Sequence, residues 1–97
     1  MNSINISAQN DYIDIILLGL KEISVGIGIS ELCDVSVKKG DYGSTIIFVP
    51  KGNVNVQDFF WFGYYLGRDY KLDMNEVTIV SEKEKRNKNS LKPDNEL

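Results

Sequence analysis

Val54-Asn55-Val56-Gln57-Asp58-Phe59-Phe60-Trp61-Phe62-Gly63-Tyr64-Tyr65-Leu66-Gly67-Arg68-Asp69-Tyr70 holds most of the chain's aromatic mass, and the fold turns on how it is read. It reads as a helix. Asn55 fits an N-cap, Asp58 stands three residues on with the spacing of a capping box, and Val54 and Phe59 are spaced as a hydrophobic staple. At 100° per residue, Phe59, Phe60, Trp61 and Phe62 point in four directions that encircle most of the helix, so one sheet cannot bury them all. Val56, Phe59, Phe60, Gly63, Leu66 and Gly67 form the expected inward stripe, with the glycines allowing close approach. Trp61, Tyr64, Tyr65 and Arg68 fall partly outside it. Tyr, Trp and Arg are the side chains enriched at the energetic centres of protein interfaces. Either Trp61 and Tyr65 pack beneath the connector Val25 to Leu32 or the C-terminal tail, or the four form a partner-binding surface.

On the N-terminal side of this helix, Cys33 to Lys39 alternates apolar and polar residues, and Thr45 to Val49 is an apolar run stopped by Pro50. Gly40-Asp41-Tyr42-Gly43 between them supplies turn residues, so the pair reads as a β-hairpin with a four- or five-residue loop. Further back, Ile13, Ile16, Leu17, Leu20 and Ile23 recur at helical spacing across Asn10 to Ile23. Gly19 lowers the helix propensity there by roughly 1 kcal/mol. Ser3 to Ser7 alternates like a short strand around Ile4 and Ile6. Val25-Gly26-Ile27-Gly28-Ile29-Ser30 reads as a connector, because its glycines can take positive φ and its alternation breaks the helical pattern. After the aromatic helix, Lys71 to Asn75 reads as a polar connector and Val77 to Val80 as a last strand.

Strand, helix, strand, strand, helix, strand at this length is the order of an α+β, ferredoxin-like split-βαβ sandwich. Such a fold is a four-stranded antiparallel sheet with two helices on one face. If the first strand fails, an αββαβ sheet-plus-helices domain remains. Within the strand Thr45 to Val49, Ile46 and Phe48 face one side while Ile47 and Val49 face the other. Two helices cover only one sheet face, so Ile47 and Val49 are a possible second interface, against another segment of the chain or a second copy.

At 97 residues the chain is long enough for one modest core, with residues 1–80 as a single domain. From Ser81 to Leu97 charges of both signs interleave without apolar periodicity, the pattern of a mobile, solvated tail. Residues 1–80 carry six Lys/Arg against ten Asp/Glu, which argues against a phosphate-binding surface and hence against nucleic acid as partner. Cys33 is the only cysteine and histidine is absent, so no internal disulfide can form and no metal or cofactor is expected. No secretion signal opens the sequence and no apolar run approaches the ~20 residues a bilayer demands, so a cytoplasmic protein with no membrane association is expected.

Motifs with chemical meaning fail one by one. Lys39-Gly40-Asp41-Tyr42-Gly43 begins like the ribonucleoprotein motif of RNA-recognition domains, but Ser44 to Val49 lacks its alternating aromatics. Gly26-Ile27-Gly28 lacks the third glycine of a dinucleotide fingerprint and follows a helix instead of a strand. Cys33 has no histidine to act as its base, and its place in the strand alternation marks a core thiol. Asp11, Asp14, Glu31, Asp34 and Asp69 read as helix-start, cap or solvated residues, and the sequence assigns no catalytic residue.

Two functions remain. The first is a small non-catalytic interaction module, of inhibitor, immunity or adaptor type. It would bind a protein partner, or itself as a homodimer, through residues 55–69, with Trp61, Tyr64, Tyr65 and Arg68 as anchors. The second is a dimeric small-molecule-binding regulator or enzyme with a pocket between sheet and helices, lined by Tyr42, Tyr64, Tyr65 or Cys33.

Overall fold

A computed structural model of the chain describes residues 3–82. The elements run β1 (Ser3–Gln9), α1 (Asn10–Glu22), α2 (Ser24–Leu32), β2 (Cys33–Lys38), β3 (Gly43–Pro50), α3 (Val56–Asp69) and β4 (Thr78–Glu82), with one turn of 3-10 helix at Met74–Glu76. They form an α+β structure whose four-stranded sheet has the order β2-β3-β1-β4, with every neighbouring pair antiparallel. The first strand does form, and its register places Ile6 opposite Ile46 and Ile4 opposite Phe48.

Alternation along β3 sorts the two sheet faces as expected. Ser44, Ile46 and Phe48 are buried beneath the helices, and Thr45, Ile47 and Val49 lie half-buried on the opposite face. The core joins Ile46 and Phe48 to Ile6 of β1, Ile13, Ile16 and Leu20 of α1, Ile29 of α2, Cys33 of β2 and Phe59, Phe62 and Leu66 of α3. Leu72 completes it from a segment that reads as a polar connector in sequence. Lys71 takes φ 62°, in the left-handed region, and the reversal lets the Leu72 N–H reach back to the Leu66 carbonyl at 3.4 Å.

Two expectations are corrected. Among the described residues the two-helix count gives way to three α-helices, because Ser24–Leu32 is a helix and not a connector. Its packing explains why. A Cβ built on Gly26 would lie 2.7 Å from the Gly19 carbonyl oxygen and 2.8 Å from the Phe62 ring, so only glycine lets α2 sit this close to α1 and α3. Ile29, one turn on, is fully buried. Glycine and β-branched residues are poor helix formers, and here tertiary contact overrides that preference.

The second correction concerns α3. Its buried stripe is Phe59, Phe62 and Leu66, while Val56 and Phe60, expected inward, are 69% and 67% exposed. Phe62 is drawn inward by the two small residues of the other helices: its ring lies 2.8 Å from a Cβ built on Gly26 and 3.3 Å from one on Gly19. Phe59, on the same stripe, meets Phe48 edge-on with centroids 5.3 Å apart. Asn55 caps the helix as expected, its Oδ1 accepting from the Gln57 N–H at 2.9 Å.

The hairpin loop is anchored by one side chain. Asn10 Nδ2 donates to the carbonyls of Gly40 and Asp41, both at 3.2 Å, while Asn10 Oδ1 accepts from the Ser44 hydroxyl. Strand β4 ends at Glu82, two residues into the segment whose sequence reads as tail; the remainder of that expected tail, 83–97, lies outside the described residues.

Candidate functional site: the aromatic rim of α3

With Phe59, Phe62 and Leu66 committed to the core, the other side of α3 carries an unbroken array of rings. Phe60 meets Trp61 edge-on at 5.4 Å between centroids, Trp61 meets Tyr64 edge-on at 5.7 Å, and Tyr64 meets Tyr65 at 5.5 Å. Arg68 closes the array, its guanidinium carbon 4.9 Å from the centre of the Tyr65 ring and 5.6 Å from that of Tyr64. Its Nε also donates to Asp69 at 2.7 Å, and that hydrogen bond holds the Asp69 carboxyl below its ordinary range and the guanidinium above its own. Set against two rings and fixed by a neighbouring carboxylate, the Arg68 side chain has little freedom left to lose.

The four anchors expected from sequence thus lie together on one surface. Trp61 and Tyr64 are 46% and 49% exposed, Arg68 is exposed and Tyr65 is half-buried. Sequence reasoning misses Phe60 and Val56, the most exposed apolar side chains of this helix. The signal that could have found them is the i, i+4, i+8 spacing of Val56, Phe60 and Tyr64, which defines a ridge of its own. That ridge borders the edge strand β4. Phe60, Tyr64 and Ile79 line one apolar groove of about 320 Å³, floored by Gly63 and Met74, and Val56 and Ser81 share the neighbouring one.

Ile47 and Val49, the possible second interface, lie on the sheet face turned away from the helices. In register with them stand Asn5 and Ser36 beside Ile47, and Asp34 beside Val49. Ser7 and Thr45 share a hydrogen bond of 2.8 Å on the same face. The surroundings of this pair are polar, unlike those of the α3 rim.

The residues expected to line a ligand pocket are not brought together. Tyr42 is 90% exposed at the hairpin tip, Cys33 is buried in the core, and Tyr64 and Tyr65 stand on the outer side of α3. Space between sheet and helices is filled by Ile16, Ile29, Ile46, Phe48, Phe62 and Leu66. A groove of about 530 Å³ lies instead between the α1–α2 junction and the end of α3. In it the Tyr70 hydroxyl donates to Glu22 at 2.6 Å, which raises the phenol above its ordinary value.

Burial raises the Cys33 thiol above its ordinary value, so the folded protein keeps it protonated to higher pH than the unfolded chain does. The stability this contributes is full below the ordinary thiol value and is lost as pH rises through the raised one. Near pH 8, alkylation of Cys33 by iodoacetamide is therefore expected to run about a hundredfold or more slower in the native protein than in denaturant. Equal rates, followed by mass spectrometry, would contradict a buried thiol.

Compared with known proteins, the chain matches no family model, and no curated sequence or solved structure is similar to it. Among the described residues no helix is long and apolar enough to cross a membrane.

Proposed function

We propose that the protein is a small non-catalytic interaction module, of inhibitor, immunity or adaptor type, whose binding surface is the outer side of α3. The observation that carries this reading is the contiguous exposure of Phe60, Trp61 and Tyr64 next to a stacked Arg68. Large aromatic surface left in water is costly, at roughly 25 cal/mol per Å², and a patch of this kind marks a site that a partner covers. The sheet and helix chemistry points the same way. The one thiol is buried and held protonated, and the carboxylates of Asp11, Asp14, Glu31 and Asp34 are dispersed on the surface.

Strand order β2-β3-β1-β4 with antiparallel pairing throughout supports a ferredoxin-like split-βαβ sandwich in which the first crossover carries two helices, α1 and α2, instead of one. A cytoplasmic setting is likewise part of the reading, supported by the single buried cysteine.

Trp61→Ala is the test. Trp61 touches Phe60, Tyr64 and Tyr65, so its removal takes the centre out of the array while leaving the core stripe intact. Binding to the physiological protein partner, measured by titration calorimetry, is expected to weaken by about 2 kcal/mol or more. Unchanged affinity with an unchanged fold would overturn the assignment of this surface.

A further inference from the structure

We infer that the occupant of this surface is a second copy of the chain, related by a two-fold axis that runs beside β4. The inference rests on the reading of α3 as an interaction surface and specifies what covers it. Strand β4 has β1 as its only sheet neighbour among the described residues, so one row of its backbone N–H and C=O groups faces outward. Edge strands are ordinarily protected by lysine, proline or a bulge. The other edge of this sheet, β2, follows that practice with Asp34 and Lys38. Strand β4, Thr78-Ile79-Val80-Ser81-Glu82, has neither lysine nor proline and carries its one charge, Glu82, at its end, while Ile79 and Val80 are 48% and 45% exposed on its two faces.

Two independent features therefore coincide on one side of the molecule: a strand edge that has no second sheet neighbour among the described residues and no lysine or proline, and above it the ridge Val56, Phe60, Tyr64, joined to it by the groove that Ile79 lines. A two-fold interface must be self-complementary, and both features are. An antiparallel strand pairs with its own copy, extending the sheet to eight strands, and the apolar ridge packs on the same ridge of the second molecule. Ile79 then lies beneath the paired helices and Val80 meets its copy on the opposite sheet face. The groove between Phe60 and Tyr64, open over Gly63, receives an aromatic side chain of the other copy.

The area is sufficient. A large apolar side chain presents roughly 150–250 Å² in full, so the exposed fractions of Val56, Phe60, Trp61, Tyr64, Ile79 and Val80 come to about 600 Å² on one copy. Covered in full, the six side chains of two copies bury about 1,200 Å², before the backbone of β4 is counted, which is the lower end of the range of specific protein–protein interfaces.

The experiment is the solution mass of the full chain by sedimentation, from about 1 μM to about 1 mM, for the wild type and for Phe60→Lys and Val80→Lys. Both substitutions are at exposed positions, and circular dichroism checks that the fold is retained. The wild type is expected to pass from 11.0 kDa to twice that mass as concentration rises. Each variant is expected to weaken the dimer roughly thirtyfold or more, and amide exchange in β4 is expected to slow in the wild-type dimer only. A mass of 11.0 kDa throughout the series would overturn the proposal, as would a dimer indifferent to both lysines, which would place the interface elsewhere. The two readings fail separately. A monomeric wild type whose affinity for a different protein still falls with Trp61→Ala would remove the second copy and leave α3 as the binding surface.

Discussion

Phe62→Ala is expected to lower the free energy of unfolding by about 3–5 kcal/mol, the cost of deleting a fully buried aromatic ring. Phe60→Ala, two positions earlier on the same helix, is expected to change it by no more than about 0.5 kcal/mol in the monomer. The reason is the orientation of α3. Phe62 is 1% exposed and sits in the notch formed by Gly19 and Gly26, so its loss leaves a cavity bounded by backbone that cannot easily collapse. Phe60 is 67% exposed and touches only Trp61 among the rings. Since domains of this size hold about 5–15 kcal/mol in all, the Phe62 variant should be close to unfolded at the lower end of that range. Urea denaturation followed by circular dichroism measures both, and equal effects would mean that the helix is turned differently.

Gly26→Ala is expected to destabilise by about 2–3 kcal/mol, as overpacking does where the neighbours are rigid. The new methyl group would meet the Gly19 carbonyl at 2.7 Å, and backbone cannot step aside as a flexible side chain can. Gly28 provides the control. It lies two residues on in the same helix with nothing within 4 Å of an added Cβ, so Gly28→Ala is expected to stabilise by up to about 1 kcal/mol through helix propensity alone. Opposite signs at two glycines of one short helix, read from thermal or urea midpoints, would establish the α1–α2–α3 notch. A loss at both positions would instead indicate that Ser24–Leu32 prefers an extended conformation.

What was legible in the sequence was local. Alternation along Ser3 to Ser7 and Cys33 to Lys39 and the apolar run Thr45 to Val49 predicted three strands, the spacing from Ile13 to Ile23 predicted α1, and Asn55 marked the start of α3. These signals lie within one element and need no partner. The helix α2 was hidden because Gly-Ile alternation imitates a strand, and its helical state depends on Gly19, seven residues before Gly26 and on a different helix. The inward side of α3 was hidden for a related reason. Four consecutive aromatic residues surround the helix, so periodicity does not choose among them, and the choice is made by the glycine notch that Phe62 fits. Leu72 was missed because one apolar residue among Lys71, Asp73 and Asn75 has no pattern. Of the surface, Trp61, Tyr64, Tyr65 and Arg68 could be named from residue type and position, and the structure brings them together. Val56, Phe60 and their approach to Ile79 on β4 depend on how the helix is turned over the sheet.

The most direct test of the account is the accessibility of Trp61, the only tryptophan, in the dilute single chain. At concentrations well below 1 μM, its emission should be red-shifted and readily quenched by acrylamide, as expected for an indole 46% exposed on an open rim. Blue-shifted emission that resists quenching at every dilution would mean that the chain itself covers α3, and the aromatic rim would then be packing and not a binding surface.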